Sequence, residues 1–273
     1  MNTLYLVATP IGNLEDLSPR AERILAEVSL IAAEDTRVTG KLLKHFNIST
    51  PQTSYYEHNK TGKLDRVLNA LEKGDVALVS DAGTPTINDP GYELVRAAID
   101  AGIDISPIPG ASAPITALSV SGLPTDAFLY LGYLPRKKKE RREKLAEVEK
   151  LPYTLIFFET PHRLLKALAD IEDVLGNRQI VVAREMTKLY EDFFRGDVSA
   201  ALAFFKGRGP RGEFVLVVDA YHQEDVKWTE ASLNDAIVAG IAEGILPSKL
   251  AKTLAKKSNW ERRDVYNRIS LIK

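Results

Sequence analysis

The chain has 273 residues, long for one domain and suggestive of two. Its 45% hydrophobic and 27% charged content excludes a disordered or fibrous protein. The absence of cysteine excludes disulfides and thiolate metal sites, while a formal net charge of −1 leaves anionic partners open, because these respond to local clusters of Lys and Arg.

The N-terminus, MNTLYLVATPIGN, has no charged region ahead of a sustained apolar run, and nowhere do 18 apolar residues follow one another. Neither export nor a membrane span is expected, and the cytoplasm is the expected location. Short apolar runs LYLVA (4–8), LIAAE (30–34), VALVS (76–80) and DISPI (104–108) predict strands. Helical periodicity resumes near Ser18, Thr39, Lys60, Pro90 and Ser112. The alternation predicts a parallel sheet with helices on its faces, and the unbroken apolar character of the runs predicts strands buried on both sides. Ser18-Pro19 and Asp89-Pro90 each read as an N-cap followed by proline at the first helical position.

SGLPTD (121–126) interrupts the pattern as a connector. A second series follows, with strands at AFLYLGYL (127–134), YTLIFFE (153–159), QIVVARE (179–185) and EFVLVVDA (213–220). Helices are expected within 136–150, 162–175 and 198–206. From about Thr229 the pattern is purely helical, and Pro247 and Asn259 divide it into three short helices. The expected organisation is an α/β domain over 1–120, a second over 121–222 and a helical tail over 223–273.

In an open parallel sheet, ligands bind beyond the carboxyl ends of the strands. Four loops occupy such positions: ATPIGN (8–13), AEDTR (33–37), SDAGTPTINDPG (80–91) and PIPGASA (107–113). Each alone reads as a rigid turn. The phosphate-cradling G-x-x-x-x-G-K-[ST] and the dinucleotide G-x-G-x-x-G are both absent, as is the G-x-S-x-G of a nucleophile elbow. Glu34, Asp35, Asp81 and Asp89 could serve a cation, but His45, His58, His162 and His222 are scattered and no metal site is expected. Backbone approach at Gly and Pro, with small residues leaving room, suits a nucleoside-containing cofactor that lacks a pyrophosphate.

Eight ordered stretches, LYLVATPIGNLEDL, LIAAEDTR, VALVSDAGTPTINDPG, PIPGASA, SGLPTDAF, FFETPHRLL, VAREMTKLYEDFFRG and GEFVLVV, span residues 4–218. Together they resemble the tetrapyrrole-methylase-like S-adenosylmethionine (SAM) methyltransferases. Within these they are similar to the bacterial enzymes that methylate the ribose 2′-hydroxyl of a decoding-centre cytidine in 16S rRNA. Ala111 departs from the proline more often found there. The resemblance implies two α/β domains of the class III methyltransferase type, SAM folded in the cleft between them, a C-terminal helical extension and a homodimer. It carries GTP into the place of the family's GDP, so that Gly83, Thr84 and Ile87 are expected to line the cofactor seat with Pro10, Ser112 and Ala113. Phe158, Glu159 and Met186 would contribute from the second domain.

PRKKKERREKL (135–145) sets Arg136, Lys137, Lys138, Arg141 and Arg142, with Lys139 and Lys144, against two acidic residues. A run of this kind is often a solvated helix face, but its place after a strand end suits a phosphate backbone. The tail adds Lys249, Lys252, Lys256, Lys257, Arg262, Arg263, Arg268 and Lys273 against Glu261 and Asp264, with Trp260 and Tyr266 read as its core rather than as base-stacking platforms. The expected partner is 16S rRNA or the 30S subunit, with Arg163 and Arg184 on substrate phosphate and Lys188 or Glu185 activating the hydroxyl. Asp81 faces the cleft without a role. A small-molecule methylase on the same fold, or a non-catalytic ribosome-associated factor, is the alternative.

Overall fold

The computed structural model describes residues 2–56, 60–222 and 227–272, so His58 lies outside the described residues. The chain divides into two units, Met1–Tyr221 and His222–Lys273.

The first unit contains two sheets. Strands β1 (Thr3–Val7), β2 (Leu30–Ala33), β3 (Gln52–Ser54), β4 (Val76–Val79) and β5 (Asp104–Ile108) form the first, in the order β3-β2-β4-β1-β5, with every pairing parallel. Period-two alternation sends successive side chains to opposite faces. Val7, Ile31, Ala77 and Val79 meet Leu25 of α1 (Pro19–Glu27) and Leu43 of α2 (Thr36–His45). Leu4, Ala32, Val76 and Leu78 meet Val67 and Leu71 of α3 (Lys60–Leu71) and Leu94 of α4 (Tyr92–Asp100). Helices on both faces explain why β4 is apolar at every position, and each fully buried Val or Leu there contributes about 1.5–3 kcal/mol. β3 escapes a reading of apolar runs because its sequence is QTS.

Ser18 caps α1 as expected, accepting the Ala21 N–H at 3.1 Å, with Pro19 at the first helical position. Two helix starts differ from expectation. α2 begins at Thr36 because Asp35 accepts the Arg37 N–H at 2.8 Å and closes the cap three residues earlier. Asp89-Pro90 is not a cap. α4 begins at Tyr92 behind Gly91, which has φ 134° and lies so close to Leu78 that a Cβ there would stand 2.6 Å from Leu78 Cδ2; only glycine fits. The Asp89 side chain is thereby left for other work.

The second sheet comprises β6 (Phe128–Tyr133), β7 (Thr154–Glu159), β8 (Gln179–Arg184), β9 (Asp192–Asp197) and β10 (Phe214–Val218), in the order β6-β7-β10-β8-β9. Only β6 and β7, joined through α6 (Lys138–Val148), run parallel; the other pairings are antiparallel. This sheet is therefore mixed rather than parallel, and its edge strand β9 has no counterpart among the predicted strands. Leu155, Phe157, Leu216 and Val218 point to α6, α7 (Pro161–Leu175) and α8 (Val198–Arg208). Ile156, Val181, Val215 and Val217 point the other way, onto Ala117 and Leu118 of α5 (Ala113–Ser119). α5 rises from the fourth loop of the first sheet, so this packing joins the two sheets.

The second unit is a three-helix bundle of α9 (Glu230–Ala242), α10 (Pro247–Ser258) and α11 (Arg262–Ile272). Leu233, Ile237, Leu250, Leu254, Val265 and Ile269 form its core. Asn259, in the left-handed region at φ 55°, ends α10. Trp260 belongs to the core as expected, its Nε1–H donating to the Trp228 carbonyl at 2.8 Å, whereas Tyr266 is 47% exposed.

Candidate functional site

A cavity of about 400 Å³ lies beyond the carboxyl ends of the first sheet, against the ends of β7, β8 and β10. The first sheet contributes Ile11, Gly83, Thr84, Ile87, Ser112 and Ala113. The second contributes Tyr133, Phe158, Glu159, Glu185 and Met186.

Short backbone approaches hold this wall together. Thr9 and Gly83 exchange two N–H···O bonds of 2.9 Å, and Gly83 has φ 85°. The Thr84 hydroxyl donates to the Ala111 carbonyl at 3.1 Å, tying the third loop to the fourth. Gly12 lies so near the loop after β8 that a Cβ would stand 2.5 Å from Lys188 Cγ and Thr187 Oγ1. The neighbouring Asn13 N–H donates to that same Oγ1 at 3.1 Å. A Cβ on Gly132, where β6 bulges at φ 63°, would run into Asn88 Oδ1. Thr86, Asn88, Glu185 and Thr187 all hold positive φ without being glycine. Such backbone costs about 1–3 kcal/mol per residue and persists only where the surroundings over-determine it.

The wall is acidic. The Glu34 carboxylate accepts the Asp81 N–H at 3.1 Å, and Asp81 accepts the Asp35 N–H at 3.0 Å. Burial pushes the carboxyls of both Glu34 and Asp81 up against the backbone hydrogen bonds they accept; the charges of Asp81 and Asp35 add to the rise at Glu34, and Asp35 adds to it at Asp81 while Arg37 opposes it. Burial, reinforced by Glu34 and Asp81, raises Asp89 to about 6 against the opposing hydrogen bond with Ser80. Glu159 has a fully buried side chain, and burial raises it too. Its Oε1 accepts the Thr160 N–H at 2.8 Å and stands 3.2 Å from Arg163 Nε, an ion pair without hydrogen-bond alignment. Its Oε2 is buried and has no hydrogen-bond partner among the described residues. No three His, Asp or Glu side chains among the described residues are grouped as metal ligands.

Opposite stands the trio Glu185, Lys188 and Glu213. Lys188 Nζ is 2.8 Å from Glu213 Oε2 and 3.3 Å from Glu185 Oε1. Burial lowers the Lys188 ammonium, but the two carboxylates outweigh it and hold it above its ordinary value. For Glu185, burial works upward and is overcome by the Glu213 N–H and Lys188, so its carboxyl sits low. At neutral pH this is an ionised pair, in which Lys188 is a cation and not a proton acceptor.

Of the residues singled out in the sequence, Gly83, Thr84, Ile87, Ser112, Ala113, Phe158, Glu159 and Met186 meet at this cavity, as does Glu185. Pro10 is displaced from the wall by its neighbour Ile11, and Lys188 stands behind Glu185. Arg163 donates to the Leu134 carbonyl beside its Glu159 pair, and Arg184 Nε donates to the Arg211 carbonyl at 2.7 Å. Arg141 requires correction as an RNA contact. It is 4% exposed, bonds Asp170 Oδ2 at 2.6 Å and donates to the carbonyls of Pro135 and Arg136, so it is internal to the fold. Arg142 bonds both Asp170 and Asp173, and Lys137 pairs with Glu140. Arg136 and Lys138 remain exposed on that segment. Asp89 and Tyr133 are wall residues that sequence reasoning misses. The first imitates a helix cap, and the second is turned inward by the bulge at Gly132, for which a glycine inside an apolar run is the available signal.

A two-sheet fold with a glycine-walled acidic cavity between the sheets defines a class. Residues 3–202 match the Tetrapyrrole (Corrin/Porphyrin) Methylases, and the chain belongs to this family. Its relatives are more particular. It is 48% identical over 269 residues to the ribosomal RNA small subunit methyltransferase I of Synechocystis sp., covering 97% of this chain and 96% of that protein. It is 45% identical over 272 residues to the protein of that name in Escherichia coli O157:H7, covering 98% and 94%. Among solved structures, the cobalamin biosynthetic enzyme cobalt precorrin-4 methyltransferase superposes with a TM-score of 0.61 at 15% identity, over 80% of this chain and 94% of that one; this is a likeness of fold alone.

Proposed function

We propose that the protein is a SAM-dependent methyltransferase of small-subunit ribosomal RNA, acting on the ribose 2′-hydroxyl of a decoding-centre cytidine in 16S rRNA. The observation that carries this is the extent of similarity to the small-subunit rRNA methyltransferases. It runs over 97% of the chain and so includes the helical tail, which lies beyond the family match at 3–202. The 16S rRNA or 30S subunit is the partner, a homodimer the working form and the cytoplasm the location in this reading. No described helix is long and apolar enough to cross a membrane.

The cavity fits SAM. Its volume is that of a small-molecule site. SAM carries a sulfonium and an ammonium against one carboxylate, and the surplus cation suits a wall bearing Asp81, Asp89 and Glu159, the last with an unpartnered oxygen. Gly83, Ser112 and Ala113 would hold its nucleoside by close backbone approach, while Ile87, Phe158 and Met186 supply apolar surface. When bound, the cofactor would supply an electrophilic methyl carbon, from which the thioether sulfur departs in line as the incoming oxygen bonds to it.

The chain's own task is then to hold the ribose oxygen opposite the departing sulfur and keep water out. Lys188, protonated between Glu185 and Glu213 and set behind Glu185, holds the carboxylates that face the cavity in place and so acts on the substrate through them. Asp89, near 6, is mostly ionised at neutral pH and is a better proton acceptor than the depressed Glu185.

The test is labelled SAM with purified protein and 30S subunits or naked 16S rRNA, followed by nucleoside mass spectrometry. The expected product is 2′-O-methylcytidine. Label in a porphyrinoid with none in rRNA would move the chain to small-molecule chemistry, and calorimetry without SAM binding would make it a non-catalytic factor.

A further inference from the structure

Two segments of the chain are rich in Lys and Arg, and the structure reverses their apparent rank as anion-binding surfaces. On α6 and its approach, most of the charge is consumed internally. Lys137 pairs with Glu140, Lys139 with Glu143, Lys144 with Glu147, and Arg141 and Arg142 with Asp170 and Asp173.

The tail is different. Lys249, Lys252, Lys256 and Lys257 recur on α10 at the i, i+3, i+7, i+8 spacing of a single helical face, and α10 contains no acidic residue. Leu250, Ala251, Leu254 and Ser258 are buried on the other side. The four lysines are exposed and make no ion pair among the described residues. Arg262 and Arg263, opening α11, are likewise exposed and unpaired among the described residues, although Glu261 and Asp264 flank them. Tyr266, one turn beyond Arg262, is 47% exposed while its neighbour Val265 is buried.

This arrangement works against helix stability. Like charges three and four residues apart repel, and Lys249 and Lys252 lie toward the positive end of the α10 dipole. Its geometry matches a polyanion. Lys249 to Lys256 covers about 10 Å at 1.5 Å per residue, the axial length of about three phosphate-to-phosphate steps on one strand. Arginine guanidinium groups suit phosphate oxygens by their forked donors, and an exposed tyrosine offers a face on which a base can stack. A lipid surface is a poorer match, because the apolar side of α10 is spent on the bundle core and does not face outward.

We propose that the helical tail is an RNA-docking module that grips a phosphate backbone through the lysine face of α10 and the arginines opening α11, with Tyr266 stacking on a base. The inference rests on the rRNA-methylating reading and adds a second point of attachment, in a unit separate from the one that holds the cavity. Its contribution is to substrate capture and not to methyl transfer itself.

The test uses the full chain carrying Lys249→Gln, Lys252→Gln, Lys256→Gln and Lys257→Gln together, glutamine being close to lysine in helix propensity. Filter binding of 16S rRNA between 50 and 200 mM salt should show the log–log salt slope falling by about 2–3, at roughly 0.7–0.9 for each phosphate no longer neutralised. Binding near 150 mM salt should weaken at least about tenfold, while SAM affinity and the single-turnover rate at saturating rRNA stay as in the wild type. The matching lysine-to-arginine variant should retain the slope, and Tyr266→Ala should weaken binding without changing it. An unchanged slope in the glutamine variant overturns the proposal, as does equal loss in the arginine variant, which would indicate a damaged bundle. Binding to anionic phosphatidylserine vesicles that the glutamines abolish, with rRNA binding intact, overturns it in favour of a membrane. Failure of the wild type to methylate rRNA would instead sink the parent reading. Methylation by the wild type with unaltered RNA binding by the variant sinks only the tail.

Discussion

Gly12→Ala tests how closely the two sheets must approach for the cavity to exist. Gly12 does not have a positive φ, so alanine brings no backbone strain and the substitution isolates a steric effect. The added Cβ would lie 2.5 Å from Lys188 Cγ, 2.5 Å from Thr187 Oγ1 and 2.9 Å from the Met186 carbonyl oxygen. Ordinary contact would require the loops to part by about 1 Å, since carbon atoms settle at about 3.5–4.0 Å. The Lys188 stem can swing away, but the Met186 carbonyl is backbone and Thr187 already sits at a φ of 64°. Overpacking of this kind costs about 1–3 kcal/mol. A displacement of about 1 Å at a reacting centre costs on the order of a hundredfold in rate. Urea denaturation should therefore show a loss within that range, calorimetry a SAM affinity weakened by about tenfold, and single-turnover assays a rate reduced by about a hundredfold. A variant with wild-type SAM affinity and rate would show that the first loop and the loop after β8 do not jointly shape the cofactor seat.

Three further outcomes follow from the site. The folded-state pKa of Asp89 is raised to about 6 from an ordinary value near 3.8, so its ionisation opposes folding; its stabilising effect is present below about pH 4 and lost as pH rises through about 6. Asp89→Asn should flatten the stability curve over that window, and should also remove a rise in SAM affinity through about pH 6 measured by calorimetry. Lys188→Ala frees Glu185 and Glu213 from the cation that positions them and should lower single-turnover methylation by about a hundredfold with SAM bound normally, as a displacement of about 1 Å does, and an unchanged rate would remove Lys188 from the chemistry. Arg141→Met strips a buried carboxylate of its main partner and should cost about 3 kcal/mol in urea denaturation, at the lower end for such pairs because Arg142 still reaches Asp170 at 3.2 Å.

The first sheet was legible because its strands are apolar on both faces and separated by helices of clear period. The second was harder. Its antiparallel pairings depend on connections such as the loop between β8 and β9, and β9 is half-exposed throughout, so its DFFRGD carries no apolar run. At the site, glycines and small residues marked the loops, but Asp89 satisfied a local capping rule that Gly91 in fact pre-empts. The basic run from Arg136 looked like free charge because linear counting does not show which partner each side chain meets. Glu140, Glu143 and Glu147 were at helical spacing and readable, whereas Asp170, 29 residues from Arg141, was not.

α5 leaves the cavity wall at Ala113, within the first sheet's fourth loop, and ends with Ala117 and Leu118 buried against β7, β8 and β10. One short helix is thus a mechanical strut shared by both walls, and the strands beneath it are a natural place to listen for the cofactor. Amide hydrogen exchange should slow in the centre of β10, at Val215 and Val217, when SAM binds at Ser112 and Ala113, although Val217 does not line the cavity.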